Sequence, residues 1–222
     1  MDAAEPELVL ANRQFLWGLV ARGFAEEPDE VFADILAGEH AQKEVSLLKD
    51  EFSDGLAALY ARMVACFAEE GGLARVRAQY VQVFVGPGVL EASPWETMHL
   101  TGSRVLFQRG VLGVRDAYRQ AGFLPERYRA VSDDAIGLEC DFMAKLAVRA
   151  ALASSVDDDE ALRERLLQAR EFLDEHLLRW IDSLAEAIAV HYGADVFYAE
   201  LARFTSLWCQ RDRRVLDVLL EG

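Results

Sequence analysis

Apolar residues recur every three or four positions along most of the chain, which is the spacing of one face of an amphipathic α-helix. The pattern is most regular between residues 160 and 190, where one stripe comprises Leu162, Leu166, Ala169, Leu173, Leu177, Trp180, Leu184 and Ile188. Acidic residues at 157–160 stand where carboxylates complement the dipole at the start of a helix. The pattern predicts one long helix that ends near Gly193, followed by another over about 194–220.

Shorter helices are predicted upstream, each bounded by residues that begin or break a helix. Their predicted ranges are 5–23, 29–37, 40–50, 54–69 and 72–84. Ser132 or Asp133 is predicted to cap a further helix that runs to about Ser154. Residues 81–85 are the one strand-like stretch, and a single short strand makes no sheet. The chain is therefore predicted to be all-α, a single helical domain over residues 1–222 with about ten helices.

One segment, residues 86–94, does not fit a helix because it contains two prolines and two glycines. It leads directly into Trp95. Connections of this length in helical domains tend to be functional, and an aromatic side chain on a stiff backbone binds a partner with little loss of entropy. The segment is therefore predicted to be a binding loop.

The charge is acidic and unevenly distributed. The formal net charge is −15 and the pI is about 4.7, which argues against a general binder of nucleic acid or anionic membrane. Residues 1–55 hold 13 acidic and 4 basic residues, residues 155–222 hold 15 and 8, and the middle is close to neutral. The neutral middle is predicted to be either core or a recognition surface, and basic partners stay open.

No secretory or membrane-spanning segment is predicted, because Met1 to Glu7 is acidic and no apolar run approaches ~18 residues. The chain is therefore expected to be cytoplasmic without stable membrane insertion. Its cysteines, Cys66, Cys140 and Cys209, are scattered along predicted helices. They are predicted to be buried thiols rather than a disulfide framework or a zinc site.

The best metal candidate is Glu96-x-x-His99, since a Glu and a His three apart on a helix can face one ion. Helical di-metal sites use this motif twice, and no other histidine has a Glu three residues before it. A helical metalloprotein that uses Glu96, His99 and the acids near Asp133 is kept as an alternative to the main prediction, which includes no metal and no cofactor.

A second acidic group comprises Asp133, Asp134, Glu139 and Asp141. Five positions separate Asp134 from Glu139, which would place them on different faces of a helix and disfavours an acid/base pair. Helix capping and a solvated face are predicted to account for most of the group. His176, one residue from the long apolar stripe, is predicted to be a packed or interfacial histidine.

Four motifs in chain order resemble one known family over about residues 80–210. They are Tyr80-x-x-x-Phe84-x-Gly86-Pro87, then Pro94-Trp95-Glu96, then the run from Ser132-Asp133-Asp134-Ala135 through Glu139 and Phe142-Met143, and finally Phe172-Leu173-x-x-His176-Leu177-x-x-Trp180. This pattern resembles the TorD/DmsD family of cytoplasmic chaperones for molybdenum oxidoreductases. The resemblance implies an all-helical, non-enzymatic protein.

The resemblance also implies a partner, namely the twin-arginine leader and the catalytic subunit of a molybdenum oxidoreductase, held until its cofactor is loaded. A nitrate-reductase type of chaperone, with a client that is never exported, is an alternative within the class, and an adaptor without such a client is a third. The family's Pro-x-Asp-His motif falls on residues 132–135, where Ser132 replaces proline and Ala135 replaces histidine. The nucleotide binding suggested for some members therefore lacks its histidine here.

The predicted peptide-binding residues follow from the motifs and from the chemistry of such a leader, which needs carboxylates beside an apolar surface. They are Pro94, Trp95, Glu96, Asp133, Asp134, Glu139 and Phe142. Phe142 and Met143 are predicted either to line that surface or to belong to the core. The resemblance further implies that helical segments can be exchanged between two copies of the chain, with residues 86–94 as the candidate hinge. The oligomeric state is left as a monomer or a segment-swapped dimer.

Overall fold

In the computed structural model, residues 5–86, 90–101, 109–123 and 132–221 are described. They form eleven α-helices and two short π-helical segments. The bounds are α1 Pro6–Ala25, α2 Glu30–Ala37, α3 Glu39–Val45, α4 Ser53–Ala68, α5 Gly72–Tyr80, π1 Val81–Val85, α6 Glu96–Thr101, α7 Arg109–Gln120, α8 Ile136–Ser155, α9 Asp159–Phe172, π2 Leu173–Leu177, α10 Leu178–Tyr192 and α11 Phe197–Glu221. Because α5 continues into π1, and α9 through π2 into α10, the described residues form ten continuous helical segments. The all-α prediction is confirmed.

The strand-like assignment of residues 81–85, which rested on their valines, is wrong. These residues form the π-helical segment π1 at the end of α5. The amide of Gly86 donates to the carbonyl of Val81 at 2.7 Å, which is the wider hydrogen bond of a π-helix. Val83 is buried, and the Phe84 ring packs edge-on against Tyr198 of α11 at 4.9 Å. Packing on α11 therefore overrides the β-propensity of the valines.

The long amphipathic stripe is confirmed, with one local change. Its members from Leu166 to Ile188 are buried, and Leu162 is half-buried. The stripe lies on one continuous helical rod, which comprises α9, π2 and α10. At Leu173–Leu177 the backbone changes from α-helical to π-helical hydrogen bonding. Gly193 ends the rod with φ 112°, a conformation that glycine adopts at little cost. A π-helical turn inside a helix frequently marks a functional site.

The predicted cap of α8 is wrong. The helix begins at Ile136 with Ala135 as its N-cap residue, and no side chain caps it. Ser132 and Asp133 are used elsewhere, since the Ser132 hydroxyl donates to Asp134 and the Asp133 carboxylate accepts from Arg115. The local sequence is typical of a cap, but Ser132 bonds to its chain neighbour Asp134 and Asp133 pairs with Arg115 of α7, so neither side chain caps α8.

The C-terminal helix α11 lies in the middle of one continuous core shared by most of the helices. Its Trp208 packs against Trp17 of α1 at 6.1 Å between ring centroids. Beside this contact, the Arg13 guanidinium donates to both oxygens of Asp212, and Trp17 Nε1 donates to Asp212 Oδ2 at 2.8 Å. Arg13 and Asp212 are fully buried. Asp212, one of the acidic residues near the C-terminal end, is therefore a buried structural residue and not part of a solvated acidic surface.

The cysteine prediction holds for two of three residues. Cys140 and Cys209 are buried, whereas Cys66 is only half-buried, and all three are free thiols. Burial raises the pKa of the Cys140 and Cys209 thiols, which keeps them protonated and unreactive. Within the described ranges, none of the helices has both the length and the apolar character needed to span a membrane.

Candidate functional site

An isolated antiparallel bridge joins two of the sequence motifs at Trp95 and Ala135. The amide of Glu96 donates to the carbonyl of Asp134 at 3.0 Å, and the amide of Ile136 donates to the carbonyl of Pro94 at 2.9 Å. The segments come from distant parts of the chain, so only folding brings them together. We call this pairing the motif bridge, comprising residues 93–97 and 132–136.

Asp134 holds the motif bridge through its side chain as well as its backbone. One carboxylate oxygen accepts from the backbone amide of Thr97 at 3.0 Å, and the other accepts from the hydroxyl of Ser132. Asp134 therefore satisfies a free amide in the first turn of α6, as an N-cap side chain does, although it lies 37 residues away in sequence. Its side chain is fully buried.

Asp133 fastens the bridge to α7. Its carboxylate accepts from Nε of Arg115, and its backbone carbonyl accepts from the hydroxyl of Tyr118 at 2.9 Å. Asp133 is 3% exposed, and Asp134 and Glu139 are fully buried, so the predicted solvated face is wrong for these three acids; Asp141 is partly exposed. Arg115 and Tyr118 lie in a stretch where the sequence showed no motif, and no local signal identified them.

Glu96 pairs with His176 across 80 positions of sequence. Nδ1 of His176 lies 3.1 Å from each carboxylate oxygen of Glu96, and both residues are buried. The His176 ring is flanked by Phe172 at 4.7 Å between ring centroids. On another side lies Gly113, where an added Cβ would stand 3.3 Å from the ring. The prediction that His176 is a packed histidine is confirmed.

Glu139 lies in the first turn of α8, which directly follows the motif bridge in the chain. Its side chain is fully buried. It accepts a hydrogen bond from Nε1 of Trp180 at 3.1 Å. Burial, followed by the charges of Glu96 and Asp134, raises the pKa of Glu139 well above its ordinary value, so the fold favours the protonated form of this carboxyl. Asp134 and Glu139 are therefore electrostatic neighbours, contrary to their predicted separation, because Asp134 precedes the helix instead of belonging to it.

His99 contacts different partners from Glu96. Its Nε2 lies 2.7 Å from the carbonyl of Ser93, its Nδ1 lies 2.8 Å from the hydroxyl of Ser183, and its ring lies 5.2 Å from that of Trp180. Burial lowers the pKa of His99, so the ring is neutral at pH 7. Because a carbonyl can only accept, Nε2 donates and Nδ1 accepts from Ser183.

In the described residues, Glu96 and His99 do not point at a common candidate metal site, as the metal alternative requires. Glu96 and His99 form separate pairs, with His176 and with Ser93 and Ser183. Across residues 5–86, 90–101, 109–123 and 132–221, no group of three or more His, Cys, Asp or Glu side chains could hold a metal ion.

The remaining motif residues differ in how deeply they are buried. Phe142 and Met143 are buried, so of the two predicted alternatives they belong to the core, where Phe142 packs against Tyr118, Phe123 and Phe172. Pro94 is buried and Trp95 is half-buried. Tyr80 and Phe84 pack on each other at 5.3 Å. Pro87 lies outside the described residues, as do residues 88 and 89 of the candidate hinge.

Together, the fold and the motif bridge define an all-helical protein of the TorD-like class. The family model described as the nitrate reductase delta subunit matches residues 49–186, and the chain belongs to this family. The four motifs that resembled TorD and DmsD chaperones lie mostly within that match, and the family prediction is confirmed.

Curated relatives carry the names of chaperones. One, named a probable Tat proofreading chaperone DmsD, from Haemophilus influenzae, is 28% identical over 144 residues, covering 65% of this chain and 63% of the relative. The chaperone protein TorD of Vibrio cholerae is 25% identical over 142 residues, covering 64% and 56%. TorD of Aliivibrio fischeri is 25% identical over 166 residues, covering 75% of each chain. The chain therefore spans less than two thirds of the first two relatives. None of these names is that of an enzyme.

Proposed function

We propose that this chain is a cytoplasmic chaperone that binds the twin-arginine leader of a molybdenum oxidoreductase precursor and retains the precursor until its cofactor is loaded. Family membership and the names of the relatives, a Tat proofreading chaperone and two TorD chaperones, support the proposal. The proposed chaperone is not an enzyme and needs no cofactor of its own.

The observation that carries the proposal is the motif bridge. It fixes Trp95 by a backbone hydrogen bond on each side: the Ile136 amide donates to the carbonyl of Pro94, and the Glu96 amide donates to the carbonyl of Asp134. Trp95 is only partly buried on this frame. A large aromatic surface held in place before binding loses little entropy when it meets an apolar segment. Trp95 is therefore proposed as the direct contact for the apolar stretch of the leader.

The carboxylates of the predicted binding set are proposed to position this contact. Asp133, Asp134, Glu96 and Glu139 are buried, and their partners are groups of the chain itself. We propose that these carboxylates hold the motif bridge, and with it Trp95, in place. Pro94 is part of the bridge, and Phe142 belongs to the core, where it packs against Tyr118. The net charge of −15 draws the arginines of the leader toward the protein during encounter.

Calorimetric titration with the leader of the molybdoenzyme encoded beside this gene tests the proposal. A matched peptide, with both arginines replaced by glutamine, serves as the control. We expect the leader to bind with measurable heat and the matched peptide to bind more weakly. If the chain is folded by circular dichroism and no leader gives heat, leader binding is ruled out.

A second candidate is an assembly chaperone for a reductase subunit that is never exported. The match to a family described as the nitrate reductase delta subunit favours it. A tagged chain would then co-purify with a reductase catalytic subunit that lacks a leader, and titration with leaders would give no heat. Co-purification of an exported precursor would instead support the first candidate.

A further inference from the structure

Tyr118 of α7 holds the second arm of the motif bridge, residues 132–136, by a hydrogen bond to its backbone. The Tyr118 hydroxyl donates to the carbonyl of Asp133 at 2.9 Å, two residues before Ala135, which is the bridge partner of Trp95. Tyr118 is 2% exposed. Burial raises the pKa of Tyr118 well above its ordinary value, so the hydroxyl keeps the proton that it donates.

The Tyr118 ring is linked to the first arm of the motif bridge, residues 93–97, through packed rings. It stacks on Phe172 at 6.0 Å between ring centroids and 28° between ring planes. Phe172 packs against the imidazole of His176 at 4.7 Å, and Nδ1 of His176 lies 3.1 Å from both carboxylate oxygens of Glu96. One side chain of α7 is therefore connected to both arms of the bridge, to the second directly and to the first through two rings.

Arg115 of α7 also binds Asp133, but its contact lies nearer the surface. Its Nε lies 2.5 Å from the Asp133 carboxylate, and its side chain is 24% exposed. Water and salt reach a partly exposed ion pair and screen it. The Tyr118 hydroxyl instead binds a buried backbone carbonyl, which would be left without a partner if the hydroxyl were lost. The Tyr118 hydrogen bond is therefore the contact that fixes the backbone ahead of Ala135.

We propose that Tyr118 is a positioning residue for Trp95 and holds the indole in the orientation that the leader meets. Its role in binding rests on the proposed function, whereas the position of Trp95 can be measured in the free chain. The motif bridge ties Trp95 to the second arm by backbone hydrogen bonds on both sides, so a shift of that arm is passed to the indole. Tyr118 belongs to none of the sequence motifs, because its connection to the bridge exists only in the folded chain.

Tyr118→Phe tests the inference, because it removes only the hydroxyl and keeps the ring packing. The matched control is Tyr60→Phe, since the Tyr60 hydroxyl also donates to a buried backbone carbonyl, that of Leu36, at 2.6 Å. Each variant loses one buried hydrogen bond of the same kind, so the two should lose similar stability in urea denaturation. A difference between them at Trp95 therefore reports the position of the indole and not a general loss of stability.

The measurement in the free chain is fluorine NMR of protein labelled with a fluorinated tryptophan, in which each of the four tryptophans gives one resonance. Trp95→Phe identifies the resonance of Trp95. Tyr118→Phe should shift or broaden this resonance, whereas Tyr60→Phe should leave it in place. The resonances of Trp17 and Trp208, which pack on each other between α1 and α11, should not move in Tyr118→Phe. An unmoved Trp95 resonance, or the same change in both variants, overturns the inference.

Leader binding adds a double-mutant cycle. Tyr118→Phe should weaken binding about threefold or more in calorimetric titration, and it should have no further effect in a Trp95→Ala background, because it acts through that indole. An equal loss in both backgrounds would show that Tyr118 does not act through Trp95, and the inference would fail. If the wild type binds no leader, the proposed function fails, while the fluorine resonances still decide whether Tyr118 positions Trp95.

Discussion

Nδ1 of His176 lies 3.1 Å from both carboxylate oxygens of Glu96, and this contact joins the π-helical turn π2 to the first residue of α6. Glu96 is 1% exposed. A carboxylate at this depth lacks water and depends on its partner for stabilisation. The pair therefore fixes the Pro94-Trp95-Glu96 motif against the long rod formed by α9, π2 and α10.

His176→Leu is expected to lower the free energy of unfolding by about 3 kcal/mol, because the Glu96 carboxylate stays buried without its partner. Urea denaturation followed by circular dichroism measures the loss. Glu175→Gln, on the exposed side of the same turn, is the control and should change stability little. The double variant Glu96→Gln/His176→Leu should cost less than the sum of its two single variants. Strict additivity would show that the two side chains do not stabilise each other.

Glu139 gives the fold a pH dependence. Its pKa is raised in the folded protein, mainly by burial, so folding favours the protonated form. Its stabilising contribution is complete below the ordinary carboxyl pKa and is lost as the pH rises through the raised value. Glu139→Gln stays neutral and can still accept from Trp180. We expect this variant to lose less stability than the wild type in urea denaturation as the pH is raised from 5. Parallel pH profiles for both proteins would contradict this.

Trp95→Ala should weaken leader binding about tenfold or more, because the proposed apolar contact is removed. Its helical circular dichroism and melting temperature should stay close to those of the wild type, since Trp95 is partly exposed and does not belong to the buried core. Calorimetric titration measures the binding. Unchanged affinity in a folded Trp95→Ala protein would remove Trp95 from the contact surface.

Variants of Asp134 distinguish a side chain that positions the motif bridge from one whose charge binds the leader directly. Asp134→Asn keeps an oxygen that can accept from the Thr97 amide, whereas Asp134→Ala loses the cap, at a cost of about 1 kcal/mol. If Asp134 positions the motif bridge, Asp134→Asn should bind the leader nearly as well as the wild type, and Asp134→Ala should bind it more weakly. Equal losses in both variants would indicate that the leader needs the charge itself.

Two glycines in helices should respond oppositely to alanine. An added Cβ at Gly137 would lie 3.1 Å from the Ala25 Cα and 3.2 Å from its amide nitrogen, and backbone cannot move aside cheaply. Gly137→Ala should therefore destabilise the protein by about 1–3 kcal/mol despite the better helix propensity of alanine. Gly18 faces open space, so Gly18→Ala should stabilise by about 0.5–1 kcal/mol. Thermal denaturation of both variants checks the contrast.

Much of the helical architecture could be predicted from sequence because helix periodicity and helix breakers are local properties. The stripe from Leu166 to Ile188 is buried as predicted, and Gly193 ends the rod as its backbone freedom allows. The valines at 81–85 were misassigned because their β-propensity is also local, whereas the packing of Phe84 on Tyr198 that stabilises the π-helix is not.

The chemistry of the candidate site was decided by tertiary structure. The sequence by itself determined an all-helical chain of this family, with motifs at 94–96 and 132–143 in order. It could not show that Asp134 caps α6, that Glu96 pairs with His176, or that burial raises the pKa of Glu139. These relationships join residues 37 to 80 positions apart. Burial and charge pairing depend on which segments the fold brings together, and that information lies in the packing of the helices.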